Sequence, residues 1–205
     1  LIDLPGTYSL LASSVEEEVA RDFICFGNAH CTVVVVDATC LERNLNLVLQ
    51  ILEMTNNVVV CVNLMDEAKR KKIKIDLQNL SKMLGVPVVG TNARSGQGLT
   101  DLKEQVELIA AKPSFSQRFK VKYPELIEQA IEILKSCLDQ LIGDGIDSRW
   151  AAIRLLEEDS KILKSLEKYF NVDLKENTQL NQTLKEAKKI LINSGLSREK
   201  LRDFR

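Results

Sequence analysis

Apolar positions follow two alternating rhythms over residues 1–112. Short, Val-rich runs of consecutive apolar residues occur at Leu1–Asp3, Cys31–Asp37, Asn57–Asn63 and Val86–Gly90. Apolar residues in consecutive rather than alternate positions suit parallel strands covered on both faces. Between the runs, apolar residues recur at helical spacing. Ser14 and Glu17 have the spacing of a capping box, after which Val15, Val19 and Phe23 line one face. Leu45, Val48 and Leu52 line the next helix. Leu77, Leu80 and Leu84 line another, stopped by Gly85, and Leu99, Leu102, Val106 and Ile109 line the last. Such a β-α-β-α series predicts an α/β fold with a doubly wound, mostly parallel sheet.

From Pro113 the strand rhythm ends, and residues 113–205 read as a second, all-helical domain. Leu126, Ala130, Leu134, Cys137 and Leu141 form one stripe, interrupted by Gly143 and Gly145. In "SRWAAIRLLEED", Ser148 is placed to cap a helix that turns Trp150, Ile153 and Leu156 inward. Further helical patterns cover Ile162–Phe170 and Leu180–Ile192. Asn193, Ser194 and Gly195 close the last, and Ser197 can start another.

Composition narrows the function classes. The 205 residues are 45% hydrophobic and 28% charged, with a net charge of −1, which argues against a dedicated nucleic-acid binder. No apolar run approaches the length of a membrane span. The five cysteines, Cys25, Cys31, Cys40, Cys61 and Cys137, lack C-x-x-C spacing and read as packed, reduced thiols. The basic run Lys69–Lys74 reads as a solvated helix flank. Asp37 is expected to cap the turn after its strand, and Asn44 to organise a helix start.

The candidate chemistry lies at strand ends, where ligands of open parallel sheets bind. Asp3 and Gly6 follow the first run, Asn63 and Asp66 ("NLMD") the third, and Asn92, Ala93 and Arg94 ("TNARSGQG") the fourth. All three loops are expected along one rim, and each suits part of a guanine nucleotide. The Asp66 carboxylate can accept both guanine N1–H and the exocyclic amine. A backbone N–H near Ala93 can serve guanine O6. Asp3 can hold Mg²⁺ through water, and Gly6 has no side chain to keep its N–H from a terminal phosphate.

These motifs, in this order, resemble the P-loop GTPases. "DLPGTYSL", "VARDF", "VVDAT", "LERNLNLVLQ", "NLMDEA" and "LGVPVV" resemble one branch, the cytosolic GTPase domain of the bacterial ferrous iron transport protein B family. "SRWAAIRLLEED" is similar to that family's helical domain. The resemblance covers essentially the whole chain. It implies GTP or GDP with Mg²⁺ as ligands and GTP hydrolysis in the intact protein. It also implies a transmembrane iron-permease domain in the same polypeptide, the cytoplasmic face of the bacterial cell membrane, a possible homo-oligomer, and a helical domain associated with tighter GDP binding. Thr7–Phe26 would be the second switch, with Pro5, Gly6, Thr7 and Tyr8 at its start.

Three departures qualify the resemblance. The phosphate loop G-x-x-x-x-G-K-[ST] does not occur in these residues, so the chain reads as a GTPase from its third conserved loop onward, and is expected to be inactive alone. Leu64 replaces the Lys usual in the N-K-x-D of GTPases at large, an apolar residue there being in keeping with the iron-transport family, and Asn92 replaces the usual Ser before Ala93. Thr7 stands where a water-orienting Gln is found in Ras-like proteins, so hydrolysis is expected to be slow. Two other readings stay open: a soluble GTPase of RNA or ribosome maturation, and an interaction fragment that binds no nucleotide.

Overall fold

The computed structural model describes residues 1–10, 14–111, 121–142, 146–171, 173–174 and 176–193. The 112/113 boundary, Pro113, Gly143, Gly145, Ser194, Gly195 and Ser197 lie outside the described residues. Two compact units, Leu1–Lys120 and Val121–Arg205, make up the chain.

Among the described residues the first unit holds three strands, β1 (Thr32–Asp37), β2 (Val58–Asn63) and β3 (Val88–Gly90), in the order β1-β2-β3. Both pairings are parallel. Thr32 aligns with Val58 and Asp37 with Asn63, while Val62 aligns with Gly90. The helices are α1 (Val15–Phe26), α2 (Leu41–Met54), α3 (Met65–Arg70), α4 (Leu77–Leu84) and α5 (Leu99–Ala111). A 3-10 turn, Ala38–Cys40, joins β1 to α2.

β2 is central and buried on both faces. Val58, Val60 and Val62 share a core with Val34, Val36, Val48 and Leu52, and Val59 and Cys61 are buried on the other face. Burying each of these valines contributes roughly 1.5 kcal/mol or more. β1 departs from the expectation of two covered faces: it is an edge strand, with Val33 and Val35 38% and 61% exposed. The four positions of the α5 stripe, Leu99, Leu102, Val106 and Ile109, are half-buried, as are Leu77 and Leu80 of α4. Gly85 ends α4 at φ +70°, its N–H donating to Ser81 O.

Two expectations for this unit fail. Leu1–Asp3 is not a strand. A strand needs a ladder, and none of the three described strands pairs with it; Leu1 and Ile2 are exposed. In α1 the Ser14 cap forms, accepting from Glu17 N–H at 3.2 Å, but Val15 and Val19 face outward. Ala20, Arg21 and Cys25 are the buried residues, and the Arg21 guanidinium enters the protein paired with Asp22. Burial pushes the Cys25 thiol up to about 12.

The described residues of the second unit form α6 (Glu125–Ile142), α7 (Ser148–Glu157), α8 (Ser160–Phe170) and α9 (Thr178–Asn193). α6 packs on α7 and α9, and α7 also meets α8. The α6 seam runs through Ile127, Ile131, Leu134 and Leu138. Leu126, expected inside, is exposed, and Leu141 is half-buried. The cap of α7 is Asp147 rather than Ser148: its carboxylate, with the longer reach, accepts from Trp150 N–H at 2.9 Å. Trp150, Ile153 and Leu156 are buried as expected. Every residue of α7 except Arg149 is buried, including an Arg154–Glu157 ion pair at 2.8 Å. Arg149 forks onto Glu128 at 2.6 and 2.7 Å.

Candidate functional site

Parallel pairing brings the carboxyl ends of β2 and β3 side by side, so the loops after Asn63 and Gly90 meet. Leu64 takes a left-handed conformation (φ 63°) and turns the chain directly into α3. Two backbone bonds lace the loops together: Thr91 N–H to Val62 O at 2.8 Å and Met65 N–H to Thr91 O at 3.3 Å.

Side chains complete the lacing. Asn63 Oδ1 accepts from the Thr91 hydroxyl at 3.1 Å and from Ala93 N–H at 3.0 Å. Thr91 is buried, and its hydroxyl lies 3.2 Å from Cys61 Sγ. Asn92 Oδ1 accepts from Asp66 N–H at 2.8 Å, while its amine donates to Gln97 Oε1 at 2.6 Å. Asn92 N–H also donates to Gln97 O at 3.0 Å, forming an isolated antiparallel bridge. A carboxamide can hold both partners at once, which a serine hydroxyl is too short to do.

Asn63, Asp66, Asn92 and Ala93 therefore form one bonded rim. The Asn63 amine has no partner among the described residues and remains free to donate. Asp66 is exposed, with Arg70 Nη2 3.7 Å from its carboxylate. Arg94 is exposed in the turn that follows. Of the backbone N–H groups near Ala93, one of which is expected to serve O6, that of Ala93 itself donates to Asn63 Oδ1.

The other predicted residues stand apart. Asp3, Pro5 and Gly6 are exposed, and no hydrogen bond or ion pair among the described residues joins Asp3 or Gly6 to the rim. Space around Gly6 is open, with nothing within 4 Å of where a Cβ would sit. The Thr7 hydroxyl is engaged locally, donating to Ser9 O and accepting from Ser9 N–H at 3.1 Å. Tyr8 is exposed, with its ring under Arg43. No group of three His, Cys, Asp or Glu side chains among the described residues could hold a metal alone.

Asp37 Oδ1 accepts from Thr39 N–H at 2.7 Å, the expected cap. That backbone bond holds its carboxyl below the usual carboxylate range. Asn44 donates back to Cys40 O at 2.8 Å, at the start of α2. The residues at 69–74 are exposed.

Sequence reasoning missed Thr91 and Gln97. A hydroxyl directly after a strand facing an Asn was a usable signal for Thr91. Nothing local marks Gln97, whose role depends on how the loop folds back.

Comparison with known proteins identifies two segments. Residues 1–106 match the family described as ferrous iron transport protein B, and residues 123–200 match the FeoB cytosolic helical domain. The Fe(2+) transport protein A/Fe(2+) transporter FeoB fusion protein of Porphyromonas gingivalis is 36% identical over 166 residues, or 79% of this chain and 20% of that protein. The chain thus spans about a fifth of that relative's length. The cytosolic domain of the T. maritima FeoB iron transporter in a GDP form superposes with a TM-score of 0.74 at 34% identity, covering 100% of this chain and 77% of that one. The mGMPPNP-bound NFeoB from S. thermophilus gives 0.73 at 28%, covering 98% and 76%. The fold is that of the family's GTPase domain followed by its helical domain. No helix of the described residues is long and apolar enough to cross a membrane.

Proposed function

The chain belongs to the ferrous iron transport protein B family, and on that premise we propose that its α/β unit is the base-reading half of a guanine-nucleotide site. The observation that carries this reading is the bonded rim: Asn63 is fixed by Thr91 and Ala93, and Asp66 is fixed at its backbone by Asn92, with its carboxylate left exposed. The Asp66 carboxylate accepts guanine N1–H and the exocyclic amine. The free Asn63 amine donates to an acceptor on the base, and Arg94 borders it. Adenine offers no matching pair of donors, and a site built for specific polar groups rejects a base that leaves them unpaired.

On the phosphate side, Gly6 presents its backbone N–H to a terminal phosphate. Asp3 would hold Mg²⁺ through water. Its carboxylate, exposed and without a partner among the described residues, fits that role, because Mg²⁺ takes most of its ligands from water and phosphates. When bound, the ion neutralises phosphate charge. Thr7 cannot orient water as a Gln amide does, and its hydroxyl is engaged by Ser9, so GTP hydrolysis by the whole protein is slow. The whole protein is a ferrous iron transporter, with these units on the cytoplasmic face and the helical unit leading to the membrane domain.

The test is competition of GTP, XTP and ATP against a fluorescent guanine nucleotide in the full-length protein and in Asp66→Asn. The variant faces the guanine amine with a second donor. That mismatch costs about 1–3 kcal/mol beyond the lost bond, whereas xanthine has an oxygen there. Preference should move from GTP towards XTP by ~10-fold or more. A variant that keeps full GTP affinity and gains nothing for XTP would refute the assignment.

A further inference from the structure

Arg43 and Gln50 are seven positions apart on α2, about two turns, so both side chains leave the same side of the helix. Each engages the segment that carries Gly6. Gln50 Oε1 accepts from Leu10 N–H at 2.7 Å, and the Ser9 hydroxyl lies 3.5 Å away. The Arg43 guanidinium sits over the Tyr8 ring, 4.9 Å from its centroid. Leu10 is buried in the core and Leu4 packs against it. Pro5 and Gly6 are exposed between these anchors. The segment is therefore tethered at Leu4, Tyr8 and Leu10.

We propose that Gln50 and Arg43 are positioning residues: they dock the Pro5–Leu10 segment on α2 and so set where the Gly6 N–H is presented. This rests on the reading of Gly6 as a terminal-phosphate contact. The Gln50 bond is the stronger tether, because Leu10 is buried and its N–H would otherwise lose a partner. The cation–π contact is exposed and weaker. Neither residue touches nucleotide. Their loss lets Gly6 drift, which harms recognition of a terminal phosphate and leaves base recognition untouched.

Two readouts in the full-length protein test this. The first is amide exchange at Leu10, which needs no nucleotide. Gln50→Leu should speed it at least tenfold, and Gln50→Glu, which keeps an acceptor oxygen, should stay within twofold of wild type. The second is steady-state GTP hydrolysis with GDP affinity measured in parallel. Gln50→Leu should lower kcat about fivefold to tenfold with GDP affinity unchanged, and Gln50→Glu should restore kcat. Arg43→Leu should give a smaller loss that Arg43→Lys restores. Unchanged Leu10 exchange in Gln50→Leu would overturn the dock. Faster exchange with wild-type kcat would overturn the positioning role. A wild-type protein that binds no guanine nucleotide would overturn the nucleotide reading itself, with Leu10 exchange still deciding whether the dock exists.

Discussion

The two halves of the candidate site are built in opposite ways. At the rim, Asn63, Asp66, Asn92 and Ala93 are held by bonds among themselves and to Thr91 and Gln97, all from the ends of adjacent parallel strands. On the other side, Asp3 and Gly6 have no such partners among the described residues, and their segment is tethered through its neighbours Leu4, Tyr8 and Leu10, with the Thr7 hydroxyl 3.5 Å from Glu17 Oε1. A base can be read by a loop that the sheet organises for its own backbone accounting, because every group lies within the reach of β2 and β3. A phosphate contact made by a glycine N–H carries no side chain to fix it, so its position depends on neighbouring anchors.

The largest effect follows from that asymmetry. The 205 residues contain no G-x-x-x-x-G-K-[ST]. Charge-assisted bonds are worth about 1.5–3 kcal/mol each, so two or more missing contacts weaken binding by ~10³-fold. The 205-residue chain alone should bind GTP at least that much more weakly than the full-length protein. On the proposed reading it should also bind guanosine nearly as well as GTP, since the bonded rim is assigned to the base. Calorimetry giving sub-micromolar GTP affinity for the chain alone, with guanosine ignored, would reverse the comparison.

The features legible in the sequence were those set locally. Val runs marked β1, β2 and β3 within two residues, and the Ser14 and Gly85 signals marked real helix ends. Leu1–Asp3 was misread because a strand is defined by its ladder, which no local pattern contains. The face of α1 was misread because Val15 and Val19 satisfy a helical stripe as well as Ala20 and Cys25 do; packing against α2 and the core chose the latter. On α6 the middle of the expected stripe, Ala130, Leu134 and Cys137, is buried, and only its ends differ: Ile127 is buried where Leu126 is exposed, and Leu141 is half-buried. Strand ends exposed the site residues Asn63, Asp66 and Asn92 as polar groups at the points where apolar runs stop. Their mutual bonds, and the contribution of Thr91 and Gln97, depend on pairs about 5 to 30 residues apart.

A second, smaller effect tests how tightly the rim is closed. Gly96 and Gly98 share a φ of +77°, yet their surroundings differ. A Cβ on Gly96 meets nothing within 4 Å, so Gly96→Ala should cost only the left-handed penalty of about 1–2 kcal/mol. A Cβ on Gly98 would lie 2.2 Å from the Gly90 carbonyl oxygen, a backbone atom that cannot swing aside. Gly98→Ala should therefore cost about 3 kcal/mol or more and also weaken nucleotide binding, because β3 and the Asn92 loop must part. Urea unfolding of the two variants in parallel measures the difference. Equal destabilisation would mean that the loop is looser than its bonds indicate.

The smallest effect concerns Asp37 at the end of β1, a strand-end carboxylate that, unlike Asp3, is held by a bond. Its Oδ1 accepts from Thr39 N–H, which keeps its folded pKa below the ordinary carboxylate value, with Lys71 adding a minor favourable field. A depressed folded pKa contributes stability above the unfolded pKa near ~4, and that contribution fades as pH falls through the folded value. Asp37→Asn keeps an acceptor oxygen for Thr39 N–H but cannot titrate, so its cap persists in acid. Asp37→Ala removes the cap at every pH. All other carboxylates are common to the three proteins and cancel when urea midpoints are compared. At pH 7 wild type should be the most stable and Asp37→Ala the least. As pH falls below ~4 the wild type should lose its lead over Asp37→Asn and move towards Asp37→Ala. If the differences among the three do not change with pH, the Asp37 charge contributes nothing beyond its geometry, and the contrast with Asp3 narrows to hydrogen bonding alone.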